Sequence, residues 1–429
     1  MQAVILAAGK GTRMRSTHPK VLHSIFGRAI LDFVLRSLSE IPVGMARVVI
    51  GSGAEEVRSF LVKNKRSWRT RAKPVLQRVQ RGTGHATLVA LRSGAQSSGD
   101  VLVWPGDMPL LRRETIHRLA KEHRAAGAVV SVLSSLQVDP AGYGRILRAG
   151  GAFYAIREDV ECSNLERRIQ EVNTGVYLFK TRELVKALSK IRPDNKKGEL
   201  YLTDVIEVFY REGKRVQACP FASAEEGLGI NSQADLAVAT QKVNNREIAN
   251  HLSRGVTFVS PDQTFVAPGV KIGQGTTIFP WTYIEGNVRI GKNCQIGPFT
   301  KIRSGTVIGN RVNLGSFVEV NRSKIDDHVQ ARHLSYIGDA SIGAKTNIGA
   351  GTITANFDGK RKHRTKIGKN VLVGSDTVFI APVTVGDYVR TGAGAVVKSK
   401  TRIRDHAVLV GIPARPIKQN RKRSRKRKA

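Results

Sequence analysis

Residues 266–314 read VAPGVK IGQGTT IFPWTY IEGNVR IGKNCQ IGPFTK IRSGTV IGNRVN L. An aliphatic residue opens every group of six: Val266, Ile272, Ile278, Ile284, Ile290, Ile296, Ile302, Ile308 and Leu314. Glycine follows five of them, and the position four later is small or β-branched, from Val270 and Thr276 through Cys294 to Val312. A period of six fits neither the 3.6 of an α-helix nor the 2 of an alternating strand. It fits a parallel β-helix, whose coils have three short flat faces and whose every sixth residue enters one internal stack. After a phase change the period resumes at Ile325 and Ile337 and slips to Ile342 and Ile348. It resumes again at Ile367, Val373, Phe379 and Val385.

One stretch breaks the pattern. Asn356-Phe-Asp-Gly-Lys-Arg-Lys-His-Arg-Thr365 is mostly polar and basic, too long for a coil to absorb, and predicts an external loop. Such a loop is placed to close over a neighbouring copy's site. Working back towards the N-terminus, the segment from Asn231 to Arg254 has neither Gly nor Pro and predicts a connecting helix. The first ~230 residues alternate β-branched runs (Ala3–Ala8, Arg47–Gly51, Val101–Trp104) with amphipathic segments such as Gly84–Arg92 and Arg113–Arg124. This alternation predicts a doubly wound α/β domain with a largely parallel sheet, whose ligands bind at the carboxyl ends of the strands. The expected organisation is therefore 1–230, a helix at 231–254, a β-helix at 255–416 and a disordered basic tail at 417–429.

Composition narrows the classes. At 429 residues, with 41% hydrophobic and 24% charged, the chain can bury sizeable cores and is not disordered overall. The first apolar run is far shorter than the ~20 residues of a membrane span and lacks a signal peptide's basic flank. Cys162, Cys219 and Cys294 form no metal spacing, so free thiols in a reducing cytoplasm are expected. The net charge of +36 asks for a polyanion: nucleic acid, or small phosphorylated substrates. Eight of these charges lie in the twelve residues from Lys418, leaving +28 on the rest. No nucleic-acid-binding motif accompanies them, so nucleic acid is expected, if at all, through the basic tail.

The motifs favour phosphorylated substrates. Leu6-Ala-Ala-Gly-Lys-Gly-Thr-Arg-Met14 is a glycine loop directly after the first strand, with Pro19-Lys20 close behind. Such a loop exposes backbone N–H groups that can cradle phosphates. It is neither a Walker loop nor a dinucleotide fingerprint. Further islands are Gln77 with Gly82-Thr83-Gly84-His85, Pro105-Gly106-Asp107-Met-Pro109, Gly142-Tyr-Gly144-Arg-Ile146 and Gly229-Ile-Asn231. This combination resembles the sugar-1-phosphate nucleotidylyltransferases. With the β-helix behind it, the chain up to about residue 415 resembles the bacterial bifunctional N-acetylglucosamine-1-phosphate uridylyltransferases / glucosamine-1-phosphate N-acetyltransferases.

The resemblance implies a left-handed β-helix, a homotrimer and two activities. One is acetyl transfer from acetyl-CoA to glucosamine-1-phosphate. The other is uridylyl transfer from UTP to N-acetylglucosamine-1-phosphate. It implies that Arg13 and Lys20 neutralise phosphates, and that Asp107 and Asn231 hold Mg²⁺. Leu6, Ala7, Ala8, Gly9, Gln77, Gly82, Thr83, Pro105 and Gly106 then surround the nucleotide, and Gly144, Glu158 and Asn173 the sugar. In the β-helix, His333 of Arg332-His-Leu-Ser-Tyr336 matches the catalytic base, since an amine attacking a thioester must lose a proton. Glu319, Tyr336, Asn347 and Asn356 fall at matching positions, Arg303 and Lys362 would grip the sugar phosphate, and Ala350, Ser375 and Ala393 would line the acetyl-CoA groove. Three positions depart from the pattern: Asn321 replaces a phosphate-binding lysine, Phe357 a tyrosine and Gly411 an arginine. Two alternatives stand beside this reading. One is a uridylyltransferase whose β-helix serves only trimerisation; the other is a nucleic-acid-binding protein on an enzyme-like scaffold.

Overall fold

The computed structural model describes residues 1–94 and 98–417. The chain divides into two compact units, Met1–Lys242 and a second that begins at Val243. The basic tail from Lys418 lies outside the described residues. Ile417, expected to begin that tail, donates its amide to the Val408 carbonyl at 3.1 Å.

The first unit is built on a nine-stranded sheet. Its main path runs Val216–Ala222, Val130–Leu136, Glu171–Lys180, Asp100–Pro105, Gln2–Ala7, Met45–Ile50, Arg71–Leu76. Neighbours are parallel except at Glu171–Lys180, which runs antiparallel to both strands beside it. That reversal, with the antiparallel pair Arg145–Ala149 and Ala152–Arg157 beside it, makes the sheet mixed. The amphipathic segments around it are helices at Thr83–Arg92 and Arg113–Ala126, among others. Two apolar layers flank the sheet, one holding Ile5, Val48 and Trp104, the other Val4, Val103 and Phe179. Alternate residues of one strand thus enter opposite cores, as the pleat requires.

The second unit turns the six-residue period into three sheets of ten, eight and eight strands, the first, second and third faces in chain order. Most strands are only two or three residues long, and all pairs are parallel except the last, where Arg415–Pro416 runs antiparallel to Val408–Val410. Register pairs the repeats directly: Ile278 with Ile296, Ile284 with Ile302, Ile290 with Ile308. All nine aliphatic residues of 266–314 are buried, and so are Val270, Thr276, Thr282, Val288, Cys294, Thr300, Thr306 and Val312. The coil therefore carries two interior stacks, one aliphatic and one small. Thr276, Thr282 and Thr300 in the second satisfy their hydroxyls on nearby carbonyls, as Thr300 does on Gly315 at 2.7 Å. The Thr306 hydroxyl, by contrast, is buried without a partner among the described residues. Between the first and second faces, Trp281, Phe299 and Phe317 adopt positive φ and stack at 6.3 and 5.0 Å. All three cysteines are buried free thiols. Among the described residues, no helix is long and apolar enough to cross a membrane.

Candidate functional site

Within the first unit, a cavity of about 810 Å³ opens at the carboxyl ends of the central strands. The glycine loop forms one wall. Gly11 has φ +61°, and a Cβ there would lie 2.8 Å from the Lys20 Cβ. Only glycine lets the loop pack this closely on Lys20. Met14 is buried and anchors the short helix Thr12–Met14, which leaves Arg13 exposed at the cavity. The opposite wall begins at Gly82, whose φ of +97° places its Cα against the Leu200 carbonyl. Gln77 is held beneath it by His85 Nδ1 at 2.9 Å and the Gly82 carbonyl at 3.3 Å.

Of the residues expected at the nucleotide, Leu6, Ala7, Ala8, Gly9, Arg13, Lys20, Gln77, Gly82, Thr83, Pro105, Asp107 and Asn231 line this one cavity. Gly106 does not line it; its amide donates to the Leu6 carbonyl at 2.9 Å and ties two strand ends together. The sequence reading missed Lys197 and Glu199, which reach the cavity from the loop before Tyr201. No local pattern marks that loop, because tertiary folding alone brings it over Thr83.

The sugar-matching residues stand apart from these. Gly144 and Asn173 are joined through the Asn173 amide and the Gly144 carbonyl at 2.8 Å, and the Asn173 side chain donates to the Tyr177 hydroxyl at 2.7 Å. Glu158 lines a second cavity of about 330 Å³ with Tyr201 and Asp204. Burial raises the Glu158 carboxyl above its ordinary value, opposed by a hydrogen bond from Thr203. The same burial, with Glu158 close by, pushes Asp204 up to about 6.

Lys20 is the hub of the larger cavity. Its ammonium donates to Asp107 and, at 3.1 Å, to Asn231 Oδ1. Two oxygen donors thus converge on one positive charge. One carboxylate and one amide oxygen suit a hard divalent ion that keeps waters and takes substrate phosphates, as Mg²⁺ does. Among the described residues there is no cluster of three or more His, Cys, Asp or Glu for a fully protein-caged ion.

On the β-helix, His333 ends the strand Gln330–His333 in register with Ser316, and its side chain is exposed. Tyr336 follows on the next face, in register with Glu319. A Cβ at Gly338 would meet both the Tyr336 hydroxyl at 2.7 Å and Asn356 Nδ2 at 2.8 Å, so these two polar groups lie over the same glycine. Arg303 bonds Glu319 at 3.2 Å and lies 3.7 Å from Glu285. Buried Asn321 accepts from Arg322 at 3.0 Å, and Arg322 grips Asp339 with two bonds of 2.7 Å. That grip, with Asn356 donating to the same carboxylate, holds Asp339 below the usual range. Phe357 and Lys362 pair across the base of the external loop, where Asp358 accepts from the Lys360 and Arg361 amides and from His363. Lys362 is exposed beside them.

Asn347 lies on the first face, in register with Gln330 and Leu372. Beyond it, Ala350 bonds the Asp376 amide and Ser375 the Gly394 amide, which sets Ala350, Ser375 and Ala393 on successive coils. Their small side chains give this corner a smooth strip. Gly411 closes it with φ +87° and its carbonyl at 3.4 Å from the Val396 amide.

Comparisons agree with this division. A MobA-like NTP transferase domain model matches residues 3–200. A bacterial transferase hexapeptide (six repeats) model matches residues 269–303, 287–322 and 364–399. The bifunctional protein GlmU of Syntrophotalea carbinolica is 39% identical over 431 residues, covering 92% of both chains. That of Corynebacterium aurimucosum is 39% identical over 430 residues, covering 92% of this chain and 88% of its own. That of Lactococcus lactis subsp. lactis is 38% identical over 443 residues, covering 95% of both. A solved UDP-glucose pyrophosphorylase complexed with UDP-glucose, 17% identical, has a TM-score of 0.48 over 59% of this chain and 99% of its own. With relatives of one name aligned along nearly its whole length, the chain belongs to the bifunctional GlmU family.

Proposed function

We propose that this protein makes UDP-N-acetylglucosamine in two steps, a precursor for peptidoglycan and lipopolysaccharide, as a cytoplasmic homotrimer. The β-helix from about 255 to 416 would carry acetyl transfer and residues 1–230 uridylyl transfer, linked by the helix around 231–254. In the first step the amine of glucosamine-1-phosphate attacks the thioester carbonyl of acetyl-CoA. The C–S bond breaks, His333 takes the amine's proton, and that proton passes to the departing thiolate so that CoA leaves as the thiol. Tyr336 and Asn356 face the same site, Arg303 and Lys362 meet the sugar phosphate, and the strip of Ala350, Ser375 and Ala393 receives the extended CoA arm. In the second step a phosphate oxygen of N-acetylglucosamine-1-phosphate attacks the α-phosphorus of UTP and pyrophosphate leaves. Arg13 and Lys20 offset the charge on the phosphates, and the glycine loop supplies N–H groups. Asp107 and Asn231 would hold Mg²⁺, which when bound supplies further charge neutralisation on phosphate oxygens.

The observation that carries this reading is the convergence of Arg13, Lys20, Asp107 and Asn231 on one cavity at the strand ends. Assaying the half-reactions separately tests it. CoA thiol should appear with glucosamine-1-phosphate and acetyl-CoA, and pyrophosphate with UTP and the acetylated sugar. Pyrophosphate without CoA release would reduce the protein to a uridylyltransferase, the reading that Asn321, Phe357 and Gly411 favour.

A further inference from the structure

The three outward faces of the β-helix carry different charge. On the third face, register aligns Lys271, Arg289, Val307, Lys324, Ser341, Lys366, Thr384 and Arg402 in one row. All eight are exposed while their neighbours Ile272 to Ile403 point inward. Five are cations and none is an acid. The corresponding row of the first face has one cation, Arg390, and that of the second has Lys301 opposite Glu319. At about 4.8 Å per coil, the third row runs straight for roughly 34 Å, with a cation at every second coil over most of it. Asp326, beside Lys324 at 3.0 Å, is the acid that touches the row.

We propose that this third face is a docking surface for an anionic lipid bilayer. Like charges aligned down a face resist covering by a second copy of the same face. They also gain most from a partner that is itself anionic and flat. His333 and Tyr336 belong to the first and second faces, so the candidate acyl-transfer residues are not on this row. Single-stranded nucleic acid is bound largely by stacking on aromatic side chains, and the row has none. A straight row on a flat sheet also cannot follow a phosphate backbone that winds round its axis. A bilayer presents a plane of mobile anionic headgroups that gather under fixed cations, each cation strengthening the attraction within a Debye length.

The test uses the full chain and flotation with vesicles of phosphatidylcholine, alone or mixed with phosphatidylglycerol, at ~0.15 M salt. Binding should require phosphatidylglycerol. Replacing Arg289, Lys324, Lys366 and Arg402 together by serine should weaken it on the order of 10²-fold, while uridylyl transfer stays unchanged. A matched chain losing four exposed cations elsewhere (Lys63, Lys65, Arg66 and Arg182) should bind nearly as the parent does. Equal weakening in both would mean that net charge alone is at work, and the proposal would fall. It would fall too if removing residues 418–429 abolished binding while the four-serine chain kept it. Preference for polyuridylate over the vesicles at the same salt, lost in the four-serine chain, would replace the bilayer by nucleic acid.

Discussion

Lys20 and Asp107, 87 positions apart in sequence, form an ion pair with both side chains largely buried at the strand ends. The ammonium also reaches Asn231, so a helix boundary far along the chain shares the same charge. The pair sets the electrostatics of the cavity. An incoming triphosphate would compete for Lys20, and that competition would free the two oxygen donors.

Asp107→Ala is expected to remove uridylyl transfer by several orders of magnitude while acetyl transfer persists, because His333 and its neighbours lie in the other unit. Parallel pyrophosphate and CoA assays check this. Loss of both activities in a folded protein would refute two separate sites.

The His333 ring extends from a strand end into solvent, where an attacking amine can reach it. Replacing it by alanine should slow acetyl transfer about 10²–10⁴-fold, the range for a general base. A CoA-release rate close to the parent's at neutral pH would pass the role to Tyr336 or to water.

Gly11→Ala tests the loop. The new Cβ would press on Lys20 in a backbone conformation that costs an L-residue about 1–2 kcal/mol. Uridylyl transfer should drop at least tenfold, with an unchanged circular dichroism spectrum. Activity equal to the parent's would show that Lys20 need not sit where the loop holds it.

The pH dependence of stability should carry a mark of Asp204. Its carboxyl is pushed up to about 6 by burial and then by Glu158, against ~3.9 in an unfolded chain. Between about pH 4 and 6 the folded state therefore binds more protons, and stability falls as pH rises through that window. Asp204→Asn removes this fall. Its thermal midpoint relative to the parent should be higher at pH 7.5 than at pH 4.5 by about 2–4 °C, allowing for solvent screening in the open cavity. A pH-independent difference between the two proteins would mean that Asp204 does not titrate in this way.

The second unit was legible from the sequence because its contacts are translational. Ile278 meets Ile296 for the same reason that Ile290 meets Ile308, and a repeat that stacks on itself writes its spacing into the chain. The glycine loop was legible because Gly11 answers a local demand, a left-handed turn against Lys20. The reversal of Glu171–Lys180 was not, since strand direction in a sheet depends on partners, and no residue within that strand records it. Nor was the burial of Glu158 against Asp204, or the arrival of Lys197 and Glu199 at the nucleotide cavity. The charge of the third β-helix face was present in the sequence as Lys271, Arg289, Lys324, Lys366 and Arg402, spaced 18, 35, 42 and 36 residues apart. Only coiling the chain places them in one row, because electrostatic fields add through space whatever the order of residues along the backbone.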